Sequence, residues 1–105
     1  MLEVVKKALR VSHNALDDEI DDLIEAARTD LKLSGVSGFK SNDDTDPLIK
    51  RAIIMYSKAN FIPDAKEAER FQLSYNMLKN HLTLAGDYKW TIFYTSQLLQ
   101  SLKMN

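Results

Sequence analysis

The chain has 105 residues, 45% of them apolar, and its 14 basic and 15 acidic side chains leave a formal charge of −1. A chain of this length makes one domain and buries roughly 65% of its unfolded surface. Three glycines and two prolines argue against a turn-rich β fold, and near-neutrality supplies no global field to hold nucleic acid or an acidic membrane. With no cysteine, disulfides, thiolate catalysis and cysteine-ligated zinc are excluded, which suits a cytosolic origin. No apolar run is long enough for a membrane span, and the opening Met1–Lys7 does not read as a signal peptide.

Leu2, Val5 and Leu9 recur at helical spacing, with Lys6, Lys7 and Arg10 on the wet side. They predict a first helix over about 2–10, too short to stand alone. Val11–Asn14 breaks the pattern, and Asn14 or Ser12 is the expected cap of the next helix. That helix, about 15–33, carries Leu16, Ile20, Leu23, Ile24, Ala27 and Leu31 as its inner stripe. Asp17, Asp18, Glu19, Asp21, Asp22 and Glu25 crowd its first half, and Arg28 and Lys32 come late, an order the helix dipole favours. Gly35 is the expected left-handed stop.

Residues 34–45 read as a polar loop with Phe39 as its one buried candidate. Asp46 then caps, and Pro47 opens, a helix to Phe61 that is apolar over a broad arc, the mark of a central helix. The short Ile62-Pro63-Asp64 connection returns the chain antiparallel. Ala68, Phe71, Tyr75, Leu78, Leu82 and Ala85 make one stripe of the long helix 64–85, ended by Gly86. The expectation is an all-α bundle of about four helices, closed by a long helical hairpin. The tail 87–105 differs. Tyr88–Thr95 is aromatic and β-branched, favouring an extended strand, and 96–104 has the character of a short helix. Four of the nine aromatic residues, Tyr88, Trp90, Phe93 and Tyr94, fall there.

Chemistry-bearing motifs are scarce. The acidic run Asp17–Asp22 offers oxygen ligands but no matching pair on a second helix; its plain reading is a solvated face favoured by the dipole. Asn42–Asp46 starts like a calcium loop, yet Pro47 and Ile53 hold the places of its glycine and glutamate, so it reads as loop and cap. His13 and His81 are isolated, no nucleophile elbow or phosphate loop is present, and an enzyme is not expected, nor any cofactor or metal. Lys6, Lys7 and Arg10, and Lys50 with Arg51, are small basic clusters rather than a DNA-reading helix.

The order of parts is informative. A short helix from the start methionine is followed by the acidic-led Asp17–Arg28, a polar loop, Asp46–Ile53, and a long amphipathic helix through Tyr75-Asn76-Met77-Leu78. Over about residues 1–86 this resembles the head–tail connector (adaptor) proteins of tailed bacteriophages and prophages, most specifically in DDLIEAAR and DPLIKRAI. The resemblance implies a helical connector domain over 1–86 with a tail or arm at 87–105. It implies a virion structural protein at the head–tail interface, present in host cytoplasm during assembly. Copies would form a homo-oligomeric ring beneath the portal protein and above a tail-side connector or stopper protein. The ring would extend the channel through which DNA passes without sequence-specific binding, and free subunits would be monomeric or weakly associating. Asp17, Asp18, Asp21 and Asp22 with Lys50 and Arg51 are the expected oligomer or channel interface, with Lys6 and Arg10 as further basic partners; Ile54, Phe61 and the tail aromatics are the expected sticky surplus. Tyr88, Trp90, Phe93 and Tyr94 are the expected portal-contact tail. The alternative is a small interaction or regulatory module dimerising through helix 64–85, and a weaker one is a metal-dependent hydrolase on Asp18, Asp22 and His81.

Overall fold

The computed structural model of the chain describes residues 1–89. It contains five helices: α1 (Leu2–Leu9), α2 (Asp17–Leu33), α3 (Gly38–Ser41), α4 (Pro47–Phe61) and α5 (Ala65–Leu84). Strand-like pairing among the described residues is limited to an isolated antiparallel bridge between Val36 and Lys89. The architecture is all-α. The predicted strand and helix beyond Lys89 lie outside the described residues.

α4 is the centre. It packs most extensively on α5, then on α2 and α1. Its Ile49, Ala52 and Ile53 meet Val5 of α1, Ile20, Ile24, Ala27 and Leu31 of α2, and Tyr75 and Leu82 of α5 in one buried cluster. Each Val, Ile or Leu side chain among them withdrawn from water stabilises the fold by about 1.5–3 kcal/mol before entropy is counted. Tyr56 and Tyr75 meet edge to face, ring centroids 5.2 Å apart, a geometry that aligns the positive ring edge with the negative ring face. Ile54 and Phe61, expected as exposed surplus, are half-buried against this core, whereas Leu48 at the start of α4 is exposed.

The helix ends follow local chemistry. Asp46 Oδ1 accepts from the backbone N–H groups of Leu48 and Ile49, and Pro47 fills the first helical position. Asp64 Oδ1 accepts from Lys66 and Glu67 N–H in the same way. Leu31 to Val36 closes with a Schellman pair, Gly35 N–H to the Lys32 carbonyl and Val36 N–H to the Leu31 carbonyl, and Gly35 takes the positive φ of 112° this needs. α1 ends identically, Arg10 to Lys7 and Val11 to Lys6, but the left-handed position at φ 60° is held by Arg10.

Three local expectations need correction. Neither Ser12 nor Asn14 caps α2 through its side chain; the Asn14 amide oxygen instead accepts from Lys6 Nζ at 2.8 Å. Phe39 is 81% exposed, and Val36 is the apolar side chain that the connection buries. The cause is α3, a single turn that Ser37 Oγ caps by accepting from Lys40 N–H. It turns Phe39 outward and brings Ser41 in. Gly86 does not itself end the last helix: α5 stops at Leu84 with Ala85 extended, and Gly35 is the one described glycine at positive φ.

α4 and α5 are antiparallel across Ile62–Asp64. The C-terminal ends of α2 and α5 come together: a Cβ on Gly35 would stand 4.0 Å from Thr83 Cγ2, and Asp30 accepts from the Tyr75 hydroxyl and from Lys79 Nζ. α2 and α5 therefore run in the same general direction.

Candidate functional site

At α2, 100° per residue puts Ile20, Ile24, Ala27 and Leu31 within one narrow arc, and these four are buried. Asp18, Asp22, Glu25, Thr29 and Leu33 fall on the opposite side and are exposed. Among the described residues no cation stands at ion-pairing distance from Asp18, Asp21 or Asp22. Asp17 is not part of this strip. Its Oδ1 lies 2.8 Å from Lys6 Nζ, and the Lys6 side chain is only 5% exposed. The approach is oblique, an ion pair rather than an aligned hydrogen bond. It fastens α1 to the start of α2, so Lys6 is engaged within its own chain.

Arg28, which the sequence offers only as a late basic residue, is buried in the structure. Its guanidinium donates to the Ser41 carbonyl at 3.0 Å and to Asp44 Oδ1 at 2.7 Å, with Glu25 Oε1 3.6 Å from Nε. One side chain thus ties α2 to the end of α3 and to the approach to α4. The planar fork of five donors makes arginine apt for bridging a carbonyl and a carboxylate together.

Asp46 is the second junction. Besides capping α4, its Oδ2 accepts from the Tyr88 hydroxyl at 2.9 Å and faces Lys40 Nζ at 3.5 Å. Burial pushes the Asp46 carboxyl up, but the Ile49 N–H, the Tyr88 hydroxyl, the Leu48 N–H and the Lys40 charge outweigh it and hold the group below the ordinary carboxylate range. For Tyr88, burial and then the Asp46 carboxylate raise the phenol above its ordinary value. Lys40 Nζ also lies 5.1 Å from the Tyr88 ring centroid, and the Tyr88 carbonyl accepts from Ser37 N–H at 2.7 Å. Tyr88 is therefore fixed to its own chain at both ends of the residue, and the chain leaves α5 along the 34–46 connection. Trp90, Phe93 and Tyr94 lie outside the described residues.

Lys50 is half-buried and Arg51 exposed on α4, with no carboxylate at ion-pairing distance from either among the described residues. α5 carries a second apolar face that its sequence pattern only hints at. Its inner stripe packs on α4, yet Leu73, Met77 and Leu84 are 57%, 74% and 74% exposed. They lie within roughly 40° of one another on the side opposite Tyr75 and Leu82. The signal is there as apolar residues four and seven apart amid polar ones, hidden by the stronger inner stripe. Lys66 and Arg70 continue this outer face toward the N-terminus of α5.

A cleft of about 400 Å³ opens between the end of α1 and the α4–α5 turn, walled by Leu9, Phe61, Pro63 and Phe71 and edged by Arg10 and Glu67. It gathers no nucleophile with a base. His13 Nδ1 accepts from Ala15 N–H, and His81 is exposed on α5. Asp18, Asp22 and His81 do not come together, since no three metal-binding side chains cluster among the described residues. Nor is any helix among them long and apolar enough to cross a membrane.

Comparison with curated proteins and with solved structures finds no match for this chain in either. Comparison with protein families does: the family described as phage connector protein matches residues 1–89, which span all five helices and the Tyr88 junction. The chain belongs to the phage connector protein family, a family of virion structural proteins rather than enzymes.

Proposed function

We propose that this chain is a head–tail connector subunit. About a dozen copies form a ring beneath the portal protein, extend the DNA channel and present a lower face to the tail-side connector or stopper protein. The observation that carries the reading, beside family membership, is a subunit with a closed core and unpartnered outer faces. Its core is closed around α4, while the acidic strip of α2 and the apolar stripe of α5 have no partner among the described residues. Contacts between two different faces of neighbouring copies close a ring where a single self-complementary patch would stop at a dimer.

Asp18, Asp21 and Asp22 supply one charged side of that contact or a channel wall over which DNA slides without sticking. Asp17 acts with them indirectly, by holding the start of α2 on α1. Lys50 and Arg51 are a basic edge for a neighbour or the portal. Exposed pairs of this kind are worth about 0–1 kcal/mol each and set register more than strength. Free subunits stay monomeric or weakly associated in host cytoplasm, and the portal templates the ring by summing weak contacts. The tail from Trp90 onward, with Phe93 and Tyr94, is the arm that docks on the portal, and the Tyr88 junction sets where it starts.

The rival reading is a regulatory module dimerising through α5; Leu73, Met77 and Leu84 leave it an exposed seam, but the seam read from the sequence is the stripe Ala68, Phe71, Tyr75, Leu78 and Leu82. That stripe is turned toward α4. Mixing the purified chain with its cognate portal and viewing the product by negative-stain microscopy tests the proposal. A ring capping the portal is the expected result; a stable dimer that ignores the portal would sink it.

A further inference from the structure

We infer that the outer face of α5 on one copy docks on the outer face of α2 on the next. This deepens the ring reading and rests on it, because it names the two surfaces that meet. Exposure, charge, spacing and direction converge on it.

Leu73, Met77 and Leu84 form an uncovered apolar stripe on a helix whose opposite side already packs on α4, and Leu33 at the end of the outer face of α2 is 83% exposed. Charge divides the same two faces. The outer face of α2 is acidic at its start, with Asp18 and Asp22, and the outer face of α5 is basic at its start, with Lys66 and Arg70. Lys32 on α2 and Glu69 on α5 run against this division, and Glu67 sits further round α5, at the edge of the cleft.

The spacing matches. Asp22 and Leu33 are eleven residues apart, and so are Lys66 and Met77, which is roughly 16 Å along either helix. Laid side by side in the same direction, the faces set acid against base at one end and Leu33 against the apolar stripe at the other. The direction matches too. α2 and α5 run the same way within one subunit, as the Gly35–Thr83 approach and the Tyr75 and Lys79 contacts to Asp30 require. Copies related by rotation about an axis along these helices keep that parallel sense. Both helices turn their buried stripes toward α4, so their outer faces look away from it. Each copy then offers both halves of the contact, and the series propagates until it closes.

The chain has no cysteine, so the contact can be trapped with introduced thiols at exposed positions. Full-length copies carrying Thr29→Cys are mixed with copies carrying Leu73→Cys and oxidised. Disulfide dimers joining 29 to 73 should exceed both same-site dimers, and a chain carrying both substitutions should give a ladder. Asp22→Lys or Lys66→Glu alone should reduce the cross-link about tenfold through like-charge opposition, and the two together should recover it. A Thr29→Cys copy that links instead to an Arg51→Cys copy overturns this pairing and leaves the ring reading standing. Rings that form on the portal without any 29–73 link do the same. Dominant same-site dimers, or no association with or without portal, overturn both.

Discussion

The α4–α5 hairpin and the 34–46 connection meet at Asp46, yet they are held by different forces. The hairpin is apolar and local: Ile49, Ala52 and Ile53 face Tyr75 and Leu82 across a three-residue turn. The connection is polar and long-range: Arg28 reaches Ser41 and Asp44, and Tyr88 reaches back to Asp46 and Ser37. Non-directional burial tolerates small shifts as long as volume is kept. Charged hydrogen bonds do not, because each buried group left without its partner costs about 1–3 kcal/mol. The hairpin is therefore held by burial, and the connection's directional bonds fix where α3 and Tyr88 lie. That division suits an assembly protein, whose surfaces must be placed accurately on a core that only has to persist.

The contrast is tested hardest at Tyr75. It is fully buried and joins both kinds of force, its ring on Tyr56 and its hydroxyl on Asp30. Tyr75→Ala should cost about 3–5 kcal/mol, as aromatic truncations in cores do, read as a lower denaturation midpoint. Phe39→Ser in the connection should cost nearly nothing, since that ring is exposed. Burial and then the Asp30 carboxylate push the Tyr75 phenol far above its ordinary value. Its contribution is therefore intact below about pH 10 and fades above it, where the unfolded chain ionises its tyrosines first. A chain with Tyr75→Phe should lose less stability than the parent between neutral and strongly alkaline pH.

Asp46 comes next. Asp46→Ala removes the cap of α4 and orphans Tyr88 and Lys40 together, and should cost about 2 kcal/mol. Asp46→Asn keeps an oxygen for the cap and loses the charge. Because the folded carboxyl sits below its ordinary value, the unfolded chain binds the proton first on acidification. The stabilisation from this charge is whole above about pH 4 and disappears as pH falls through the depressed folded value. The stability gap between the parent and Asp46→Asn should thus narrow on acid titration, and a gap that widens would refute the junction. Tyr88→Phe is the milder cut, about 1 kcal/mol, and amide exchange at Ser37 should report it, since that N–H is bonded to the Tyr88 carbonyl.

The same contrast explains what could be read from the sequence. Helix positions α1, α2, α4 and α5 follow from apolar spacing and from Asp46-Pro47, because local periodicity encodes which side faces a core. The connection does not follow. Phe39 carries the residue type of a core side chain, but a one-turn helix with a Ser37 cap overrides that bias. Arg28 and Asp44 are 16 apart, and Tyr88 and Asp46 are 42 apart, separations at which no spacing rule operates. The outer stripe of α5 is legible in principle. It escapes a reading that grants one helix one apolar face, because the inner stripe through Tyr75 and Leu82 dominates the periodicity.

Ser57 approaches the contrast from the other side. It is fully buried in α4, and its hydroxyl has no hydrogen-bond partner among the described residues. It is thus a polar atom in the region otherwise ruled by apolar packing, unlike the satisfied polar groups of the connection. Replacing it with alanine removes the unmet hydroxyl, leaves a void smaller than a methyl group and raises helix propensity. Ser57→Ala should therefore stabilise the chain, by up to about 1 kcal/mol. The denaturant midpoint should rise with an unchanged slope, since the exposed area on unfolding barely alters. A loss of stability would mean that the hydroxyl has a partner in the folded chain, and that the hairpin, like the connection, holds part of its geometry by directional bonds.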